Sequence, residues 1–349
     1  MLIPFEPQYR RQYYQLLEEI FDSSFWSDGG MLRQFEHEFG GYVKVPARAA
    51  ANGGAALLAI LDYLNVRDRE VVVPANTFWA TAQAARKAGA RVVYADCNRE
   101  DLCLSLEDLR RKVTPQTRAV IVVHIGGHLA FQIDEIAAFC RARDLPLVED
   151  CAHVHGGWFN GKTGGHYGFA GAYSFYATKT MPLGEGGMVV SRDRDFLAWV
   201  ERYRNYGKEI VNGRVTYPLK TGFNYRMNEF TAALGLVQLR RLPDILAAKR
   251  ALAAKYDQIF ANRVKFPPGM ISGYYKYIVF NYPHLRQKTG QVFGLDDLGP
   301  AIDGVDAAVP NSCWVADHHQ CPPIYYGWEH AHKEVEEIAK ILLEDGNPL

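Results

Sequence analysis

One lysine of this chain lies in surroundings that favour chemistry. Lys179 stands between a short β-prone run, residues 172–176, and the glycine-rich turn Gly184-Glu-Gly-Gly187. Partial burial at the end of a strand disfavours the charged ammonium and lowers the pKa of the amine, which then becomes a usable nucleophile. Such an amine can form a Schiff base with a carbonyl compound. A lone lysine of this kind is more often a surface residue at a turn, so the interpretation depends on the rest of the chain.

A second group of reactive residues follows another predicted strand. The run Asp150-Cys-Ala-His153-Val-His155 comes directly after the apolar residues Leu147 and Val148. A carboxylate at a strand end can cap the next helix and a nearby histidine can simply pack, so a structural and a functional interpretation are equally open. In the functional one, Asp150 pairs with a protonated ring nitrogen, and His153 packs against that ring or supports Asp150.

A third stretch has the composition of an anion site. Asn52-Gly-Gly-Ala-Ala-Leu57 is a glycine-containing turn that runs into a predicted helix. Free backbone N–H groups at a helix start bind phosphate, and glycine lets the anion come close. Most turns of this composition bind no anion, so this motif needs support from the others.

The elements that position these residues predict an α/β fold. Short apolar strands alternate with helices, which is typical of βαβ units and a mostly parallel sheet buried on both faces. The expected strands cover residues 71–75, 92–95, 119–124 and 147–150, and the expected helices cover 7–21, 51–64, 106–112 and 133–143. Ligands collect at the carboxyl ends of parallel strands. Three polar segments lie at those ends: residues 76–78, 124–128 and 150–153.

The second half of the chain predicts longer helices and a smaller unit. Pro267-Pro-Gly269 is the best candidate boundary between a large domain (1–266) and a smaller C-terminal α/β domain (267–349). The other expectations are a loop over 206–217, helices over 231–242 and 244–260 separated at Pro243, a strand over 274–280, and a terminal helix over 329–344. No element is predicted within residues 285–325.

The composition is that of an ordinary globular protein. Lys+Arg and Asp+Glu both number 39 among 349 residues, so no charge excess favours nucleic acid or a membrane surface. No signal peptide opens the chain, and no apolar run of about 18 residues could span a bilayer. The six cysteines lack the CxxC spacing of metal sites and are expected to be reduced thiols. We therefore expect a cytoplasmic protein without a metal site.

As an ordered set, the motifs resemble the DegT/StrS-type sugar aminotransferases, a branch of the fold-type-I pyridoxal-phosphate (PLP) enzymes. The likeness covers about residues 25–280, and its motifs are Asn52-Gly-Gly-Ala-Ala-Leu57, Pro74-Ala-Asn-Thr-Phe-Trp-Ala-Thr81, Val148-Glu-Asp-Cys-Ala-His153, Ser174-x4-Lys179-x4-Gly184-Glu-Gly-Gly187 and Gly222-Phe-Asn-Tyr-Arg-Met-Asn-Glu229. The resemblance implies transfer of an amino group from glutamate or glutamine to a keto-sugar, usually nucleotide-linked, or to a keto-cyclitol.

The resemblance also implies how the PLP ring is held. Lys179 would bind the cofactor covalently and move the proton of the substrate carbon. Asp150 would bind the pyridine nitrogen. Phe78 would stack on one face of the ring, with His153 near the other face.

The remaining implied contacts concern the phosphate. Ser174 and the backbone at Gly54 and Ala55 would bind it. Asn224 would reach the phosphate of the neighbouring subunit's cofactor, so the active unit would be a homodimer with shared active sites.

Three features depart from the family pattern. Gly54 stands where the family usually has threonine or serine, which removes one side-chain contact to the phosphate. His128 stands where glutamine is common. In the small domain, residues 317–324 are the best candidate for the remnant of a family loop that helps to shape the sugar pocket.

Two alternative functions remain open. One is a related PLP enzyme that dehydrates or epimerises a sugar, but family dehydratases typically replace the lysine by histidine, so Lys179 argues against it. The other is a non-catalytic PLP-binding dimer, against which the presence of both Lys179 and Asp150 argues. A Rossmann dehydrogenase is not expected, because no GxGxxG motif follows an early strand.

Overall fold

The chain folds around one central sheet in the computed structural model, which describes residues 5–286, 289–326 and 336–337. The strands are β1 (Ala47–Ala50), β2 (Glu70–Pro74), β3 (Arg91–Ala95), β4 (Thr117–Val123), β5 (Leu147–Asp150), β6 (Trp158–Phe159), β7 (Ala170–Ser174), β8 (Gly187–Val190), β9 (Glu209–Val211), β10 (Arg214–Thr216), β11 (Met270–Ile271), β12 (Val279–Phe280) and β13 (His319–Gln320). The α-helices are α1 (Pro7–Ser23), α2 (Gly30–Val43), α3 (Gly53–Tyr63), α4 (Trp79–Lys87), α5 (Leu106–Lys112), α6 (Ile133–Arg141), α7 (Arg194–Tyr203), α8 (Glu229–Ile259), α9 (Gly299–Asp303) and α10 (Pro310–His318).

The central sheet is mostly parallel. Its strand order is β1-β8-β7-β5-β4-β2-β3, and β8 is the one strand in it that runs antiparallel to its neighbours. Successive residues of β5 and β7 are all buried, so both faces of the sheet are covered. The predicted α/β class, with a mostly parallel sheet flanked by helices, is confirmed.

An aromatic cluster fixes the strand that leads to Lys179. Phe39 of α2 packs edge-on against Tyr173 and Phe175 at ring-centroid distances of 5.1 and 5.4 Å. Phe35 contacts Phe175 at 5.5 Å, and all four rings are buried. Edge-to-face packing of this kind adds to the free energy gained by burying the rings. The carboxyl end of β7 is therefore held rigidly.

The expected break at Pro243 is wrong, because α8 continues through it from Glu229 to Ile259. Pro243 is exposed, so the carbonyl group four residues earlier that loses its N–H partner lies on the solvent side of the helix. Leu242, Ile245 and Leu246 beside it are buried. Burial of this apolar face outweighs the loss of one hydrogen bond.

Residues 206–217 are not a plain loop, because they contain the hairpin β9–β10. Its turn is Asn212-Gly213, with φ angles of 51° and 76°. Two positive φ angles match a type I′ turn, for which Asn-Gly is the preferred pair. The signal was present in the sequence, and the flanking residues are too short a run to show strand alternation.

The strand expected over residues 274–280 is mostly wrong, because β12 covers Val279 and Phe280 alone. The segment before it crosses the loop that follows β4. Gly273 N–H donates to the Gly127 carbonyl at 2.8 Å, and Lys276 N–H donates to the Gly126 carbonyl at 2.9 Å. These bonds to a distant loop replace a strand ladder, which no local pattern could indicate.

Residues after the predicted boundary contribute to two hydrophobic clusters. Tyr277 and Leu285 pack with Tyr256 of α8 and with Phe260 directly after it, whereas Ile278 packs in the main core. The region for which the sequence predicted no element contains α9 and α10. The boundary at residue 267 stays a prediction. Most of the expected terminal helix, 329–344, lies outside the described residues.

Within the described ranges, no helix is both long enough and apolar enough to cross a bilayer.

Candidate active site

The carboxyl ends of β5 and β7 meet the start of α4 at one edge of the sheet. Asp150 is the last residue of β5 and Ser174 is the last residue of β7, and the two strands are neighbours. The hydroxyl of Thr81, in the first turn of α4, donates to Asp150 Oδ2 at 2.9 Å. Three segments far apart in sequence thus meet at the edge where parallel sheets bind ligands.

Asp150 is a buried carboxylate with an incomplete set of partners. Its Oδ1 accepts the N–H of Ala152 at 3.1 Å, and its Oδ2 accepts the Thr81 hydroxyl. Burial raises the pKa of Asp150, while these two hydrogen bonds and the nearby charge of Lys179 lower it. Because burial prevails, a cationic group brought to this carboxylate would be strongly favoured as its partner.

Lys179 follows β7 in a turn and is half-buried. Its Nζ lies 4.9 Å from the centre of the Tyr275 ring. Burial lowers the pKa of the Lys179 amine, and this effect outweighs the opposing influence of Tyr275 and of the Asp150 carboxylate. The neutral, nucleophilic amine is therefore more populated than for an exposed lysine.

His153 lies on the same edge and stacks on Tyr275. The two ring centroids are 4.1 Å apart with an interplanar angle of 26°. Its Nδ1 is buried and has no hydrogen-bond partner within the described part of the chain. Burial, followed by the charges of Lys179 and Lys276, lowers the pKa of His153 well below its usual value, so the ring is neutral.

Tyr275 is a site residue that the sequence analysis missed. It contacts both Lys179 and His153 although nearly one hundred residues separate it from Lys179. The run Tyr274-Tyr-Lys-Tyr277 has the alternation of a strand, and that pattern does not indicate a contact with the site. An aromatic residue in a short segment carries no local signal that could have indicated this role.

The glycine turn before α3 adjoins the end of β7. Asn52 caps α3, and its Oδ1 accepts the Ala55 N–H at 2.8 Å. A Cβ atom on Gly53 would lie 2.8 Å from Ser174 Cβ, so only glycine allows this close approach. Gly54 has room for a side chain, whose Cβ would meet Asn52 Oδ1 at 3.4 Å. A phosphate at this helix start would have to compete with Asn52 for the N–H of Ala55.

Two predicted residues are exposed in this single chain. Phe78, which precedes α4, has 78% of its side chain exposed, an unusual state for a large apolar ring. Asn224 is also exposed, and its backbone pairs with that of Asn205. Phe78 lies three residues before Thr81 and thus near Asp150, whereas Asn224 is on a separate loop.

A second polar network lies beside Asp150. Glu149 is fully buried, and its carboxylate accepts the N–H groups of Gly165, Tyr167 and Gly168 at 2.9, 2.8 and 2.7 Å. It also contacts His124 Nε2 at 3.1 Å. Because His124 Nδ1 accepts a backbone N–H, Nε2 carries the proton and donates it to Glu149. These donors fill the carboxylate.

The same network is the one cluster with metal-ligand geometry among the described residues. Potential ligand atoms of His124, Glu149 and Cys151 lie within 4.8 Å of one another. The Glu149 oxygens are already occupied by protein donors, and burial raises the pKa of the Cys151 thiol well above its usual value. We therefore assign this cluster a structural role.

His128 is packed away from solvent. It is 1% exposed, and its Nε2 donates to the backbone carbonyl of Asp101 at 3.1 Å. Its ring lies between Phe131 and Phe266, and burial lowers its pKa to about 4. The neutral His128 thus supports the loop after β4.

Comparison with known proteins identifies the relatives of this chain. Residues 7–286 match the DegT/DnrJ/EryC1/StrS aminotransferase family. A GDP-perosamine synthase from Vibrio cholerae is 36% identical over 265 residues, which cover 75% of this chain and 71% of that protein. A dTDP-4-dehydro-2,3,6-trideoxy-D-glucose 4-aminotransferase from Saccharopolyspora spinosa is 32% identical over 295 residues, covering 79% and 76%.

A solved structure agrees over nearly the whole chain. The aminotransferase TlmJ from Streptoalloteichus hindustanus superposes with a TM-score of 0.88 at 26% identity, over 95% of this chain and 96% of that one. The family that the motifs resembled is therefore confirmed. This chain belongs to the DegT/DnrJ/EryC1/StrS aminotransferase family and is a pyridoxal-phosphate-dependent aminotransferase.

Proposed function

We propose that this enzyme transfers the amino group of glutamate or glutamine to the carbonyl carbon of a nucleotide-linked keto-sugar. With glutamate, the donor leaves as 2-oxoglutarate and the acceptor becomes the amino-sugar, so the exchange is balanced without an outside oxidant. The observation that carries the proposal is the meeting of a half-buried Lys179 and a buried Asp150 at one sheet edge. The two relatives described above have names that refer to nucleotide-linked sugars.

The residues at this edge fit pyridoxal phosphate. Asp150 is a buried acid that favours a cationic partner, and Lys179 is an amine whose pKa burial lowers. Phe78 offers an exposed aromatic face and His153 a neutral ring. When bound, the cofactor supplies an aldehyde carbon and an electron-withdrawing ring that acidifies the Cα–H of a substrate amine.

Each residue then has a defined task. Lys179 Nζ would hold the cofactor covalently and would accept and return the proton of the substrate carbon. Asp150 would pair with the ring nitrogen, and Phe78 and His153 would pack against the ring and limit its movement. Gly54, Ala55 and Ser174 would hold the phosphate at the start of α3.

A cavity lies beside the segment that carries Tyr275, although none of the residues assigned to the cofactor lines it. Its volume is about 260 Å³, and its lining includes Lys265, Phe266, Tyr274 and Lys276 together with one carboxylate, Asp257. Ammonium groups suit the phosphates of a sugar nucleotide, and aromatic rings suit its base. This combination favours a nucleotide-linked sugar over a keto-cyclitol, which carries neither group.

The proposal includes a homodimer that shares its active sites. Apolar side chains are exposed on the hairpin and the loops beside Asn224, namely Tyr206, Ile210, Val211, Val215, Tyr217 and Phe223. An exposed patch of this kind in a soluble monomer is unusual and suits burial against a second copy. Asn224 would then reach the partner's cofactor phosphate.

Complementation tests the sharing of sites. Lys179→Ala and Asn224→Ala variants are each expected to be inactive or weakly active. If residues 179 and 224 serve one site from two chains, mixed dimers contain an intact site, and part of the activity returns on mixing. No recovery after verified subunit exchange would contradict the shared site.

Two further expectations remain part of the proposal. The first is the division into domains 1–266 and 267–349. The second is a cytoplasmic location, which the free state of all six cysteines supports.

The amino transfer is tested in two half-reactions. The holoenzyme incubated with L-glutamate should release 2-oxoglutarate in an amount equal to the bound cofactor, and the Lys179→Ala variant should not. Mass spectrometry of mixtures with keto-sugar nucleotides and with keto-cyclitols then identifies the acceptor. Absence of 2-oxoglutarate, and of 2-oxoglutaramate from glutamine, would favour the dehydratase or the non-catalytic alternative.

A further inference from the structure

Tyr275 contacts four charged or polar groups at the edge of the proposed site. Its ring stacks on His153 with a 4.1 Å centroid distance, and Lys179 Nζ lies 4.9 Å from its centre. Lys276 Nζ lies 5.5 Å from the same centre. Its hydroxyl is 3.3 Å from the hydroxyl of Thr178, the residue before Lys179. One side chain therefore touches both sides of the proposed cofactor pocket.

The backbone around Tyr275 is tied down on both sides. The bonds from Gly273 and Lys276 to the carbonyls of Gly127 and Gly126 flank it at 2.8 and 2.9 Å. A Cβ atom on Gly127 would lie 2.5 Å from the Tyr275 nitrogen, so glycine is required for this contact. The buried Lys249 also donates to the Tyr274 carbonyl at 3.1 Å. Tyr275 is thus fixed relative to the loop after β4.

Two properties of the ring act on its neighbours. The electron-rich face attracts an ammonium group, which favours one location for Lys179 Nζ. The same ring supports His153 by stacking, which limits the tilt of the imidazole. An aliphatic side chain could fill the space but would supply neither effect.

We propose that Tyr275 is a positioning residue that aims the Lys179 amine and holds the His153 ring in place. This inference rests on the proposed function for its meaning in catalysis, but its physical content concerns the chain alone. Tyr275 does not react. It sets where the amine and the imidazole stand when a ligand enters.

The first test measures the pH dependence of the reactivity of the Lys179 amine in the cofactor-stripped full-length chain. The rate at which acetic anhydride labels Lys179 is followed by peptide mass spectrometry against pH. Tyr275→Leu removes the attraction of the ring for the ammonium, so the midpoint of the labelling curve should fall and labelling at pH 7.5 should become about two- to tenfold faster. Tyr275→Phe keeps the aromatic face but loses the hydroxyl, which also raises the pKa of Lys179, so its midpoint should lie between those of the wild type and Tyr275→Leu.

Tyr277→Phe is the matched control. It removes a tyrosine hydroxyl two residues away, one that donates to Asp257 at 2.8 Å, without touching Lys179. If Tyr275→Leu keeps the wild-type midpoint, or Tyr277→Phe shifts it equally, the proposal is overturned. Should Tyr275→Leu lose cooperative unfolding, Tyr275→Met takes its place.

The second test uses the holoenzyme. In the half-reaction with glutamate, Tyr275→Leu should lower the rate constant about tenfold with little change in the concentration of half-saturation, and Tyr275→Phe should restore most of it. If the wild type does not transaminate, the proposed function fails while the labelling result still decides the role of Tyr275. Equal rates for wild type and Tyr275→Leu would count against positioning.

Discussion

Glu149 and Asp150 are neighbours on β5, yet the two carboxylates lie in different surroundings. Glu149 accepts three backbone N–H groups and the His124 ring, so its hydrogen bonds are complete within the protein. Asp150 accepts two hydrogen bonds, and burial raises its pKa. Adjacent residues of a strand point to opposite faces, which separates the two networks.

The difference explains how one strand end serves two purposes. The complete network at Glu149 fixes the segment 165–168 against β5 and thereby holds the strand. The incomplete network at Asp150 leaves a buried acid whose free energy falls when a cation arrives. Glu149 thus holds the strand rigidly, and the next residue, Asp150, keeps room for a cationic partner. Preorganised catalysis requires this combination of a fixed backbone and an available charge.

The largest expected effect is on activity at Asp150. Asp150→Asn keeps the shape of the side chain but removes the negative charge that, in the proposed site, would pair with the ring nitrogen of the cofactor. We expect transamination with glutamate to fall by about 10²- to 10⁴-fold, measured by single-turnover kinetics. Thermal unfolding of the cofactor-free chain should change little. A large loss of stability with retained activity would show that Asp150, like Glu149, has a structural role.

The next effect is on stability at Glu149. In Glu149→Gln, an NH₂ group faces backbone N–H donors, so at least one buried donor is left unpaired. We expect the free energy of unfolding to fall by about 3 kcal/mol in urea titrations. Glu107→Gln is the control, because the ion pair of Glu107 with Arg111 is exposed and screened by solvent, so its loss should change the stability little. Equal losses of stability in both variants would show that the Glu149 network contributes no more than an exposed ion pair.

Lys249 is a buried ionisable group whose hydrogen-bond partners, unlike those of a salt bridge, carry no charge. Its Nζ donates to the carbonyls of Tyr274 and Ile324, and burial lowers its pKa to about 7. In the unfolded chain the pKa is about 10.4, so between these values the unfolded state binds more protons and stability rises with pH.

The pH dependence is measured by urea unfolding at pH 7 and pH 9. The stability of the wild type relative to Lys249→Met should increase by about 2 kcal/mol over this interval. The comparison with the variant removes the contributions of other titrating groups. Parallel pH profiles would show that Lys249 is not the source.

The smallest expected effect is at Gly54, where the proposed site would hold the phosphate of the cofactor. Gly54→Ser has room for its side chain and adds a hydroxyl at the start of α3, so cofactor affinity should rise a few-fold and stability by about 0.5 kcal/mol. Gly53→Ala is the matched control, because its Cβ would meet Ser174 and should destabilise the chain. Isothermal titration with the cofactor compares both. A gain from Gly53→Ala would contradict the assigned close approach.

Between residues 51 and 150 the sequence alone determined most of the alternating strands and helices and the residues at the strand ends, whereas several elements after residue 206 were not predicted correctly. Apolar runs and glycine turns are local features, so β5 was predicted with its observed bounds and α5 likewise. The motif around Lys179 indicated the chemistry because a lysine in such a turn is unusual. The Asn212-Gly213 pair is likewise a local signal, since it is the preferred pair of the type I′ turn found there.

Only the tertiary structure decided the contacts between distant segments. No local pattern indicates that Tyr275 stacks on His153, that four donors surround Glu149, or that His128 is buried. The continuation of α8 through Pro243 likewise depended on which side of the helix was buried. Sequence periodicity reports local geometry, whereas these features arise from the packing of one element on another.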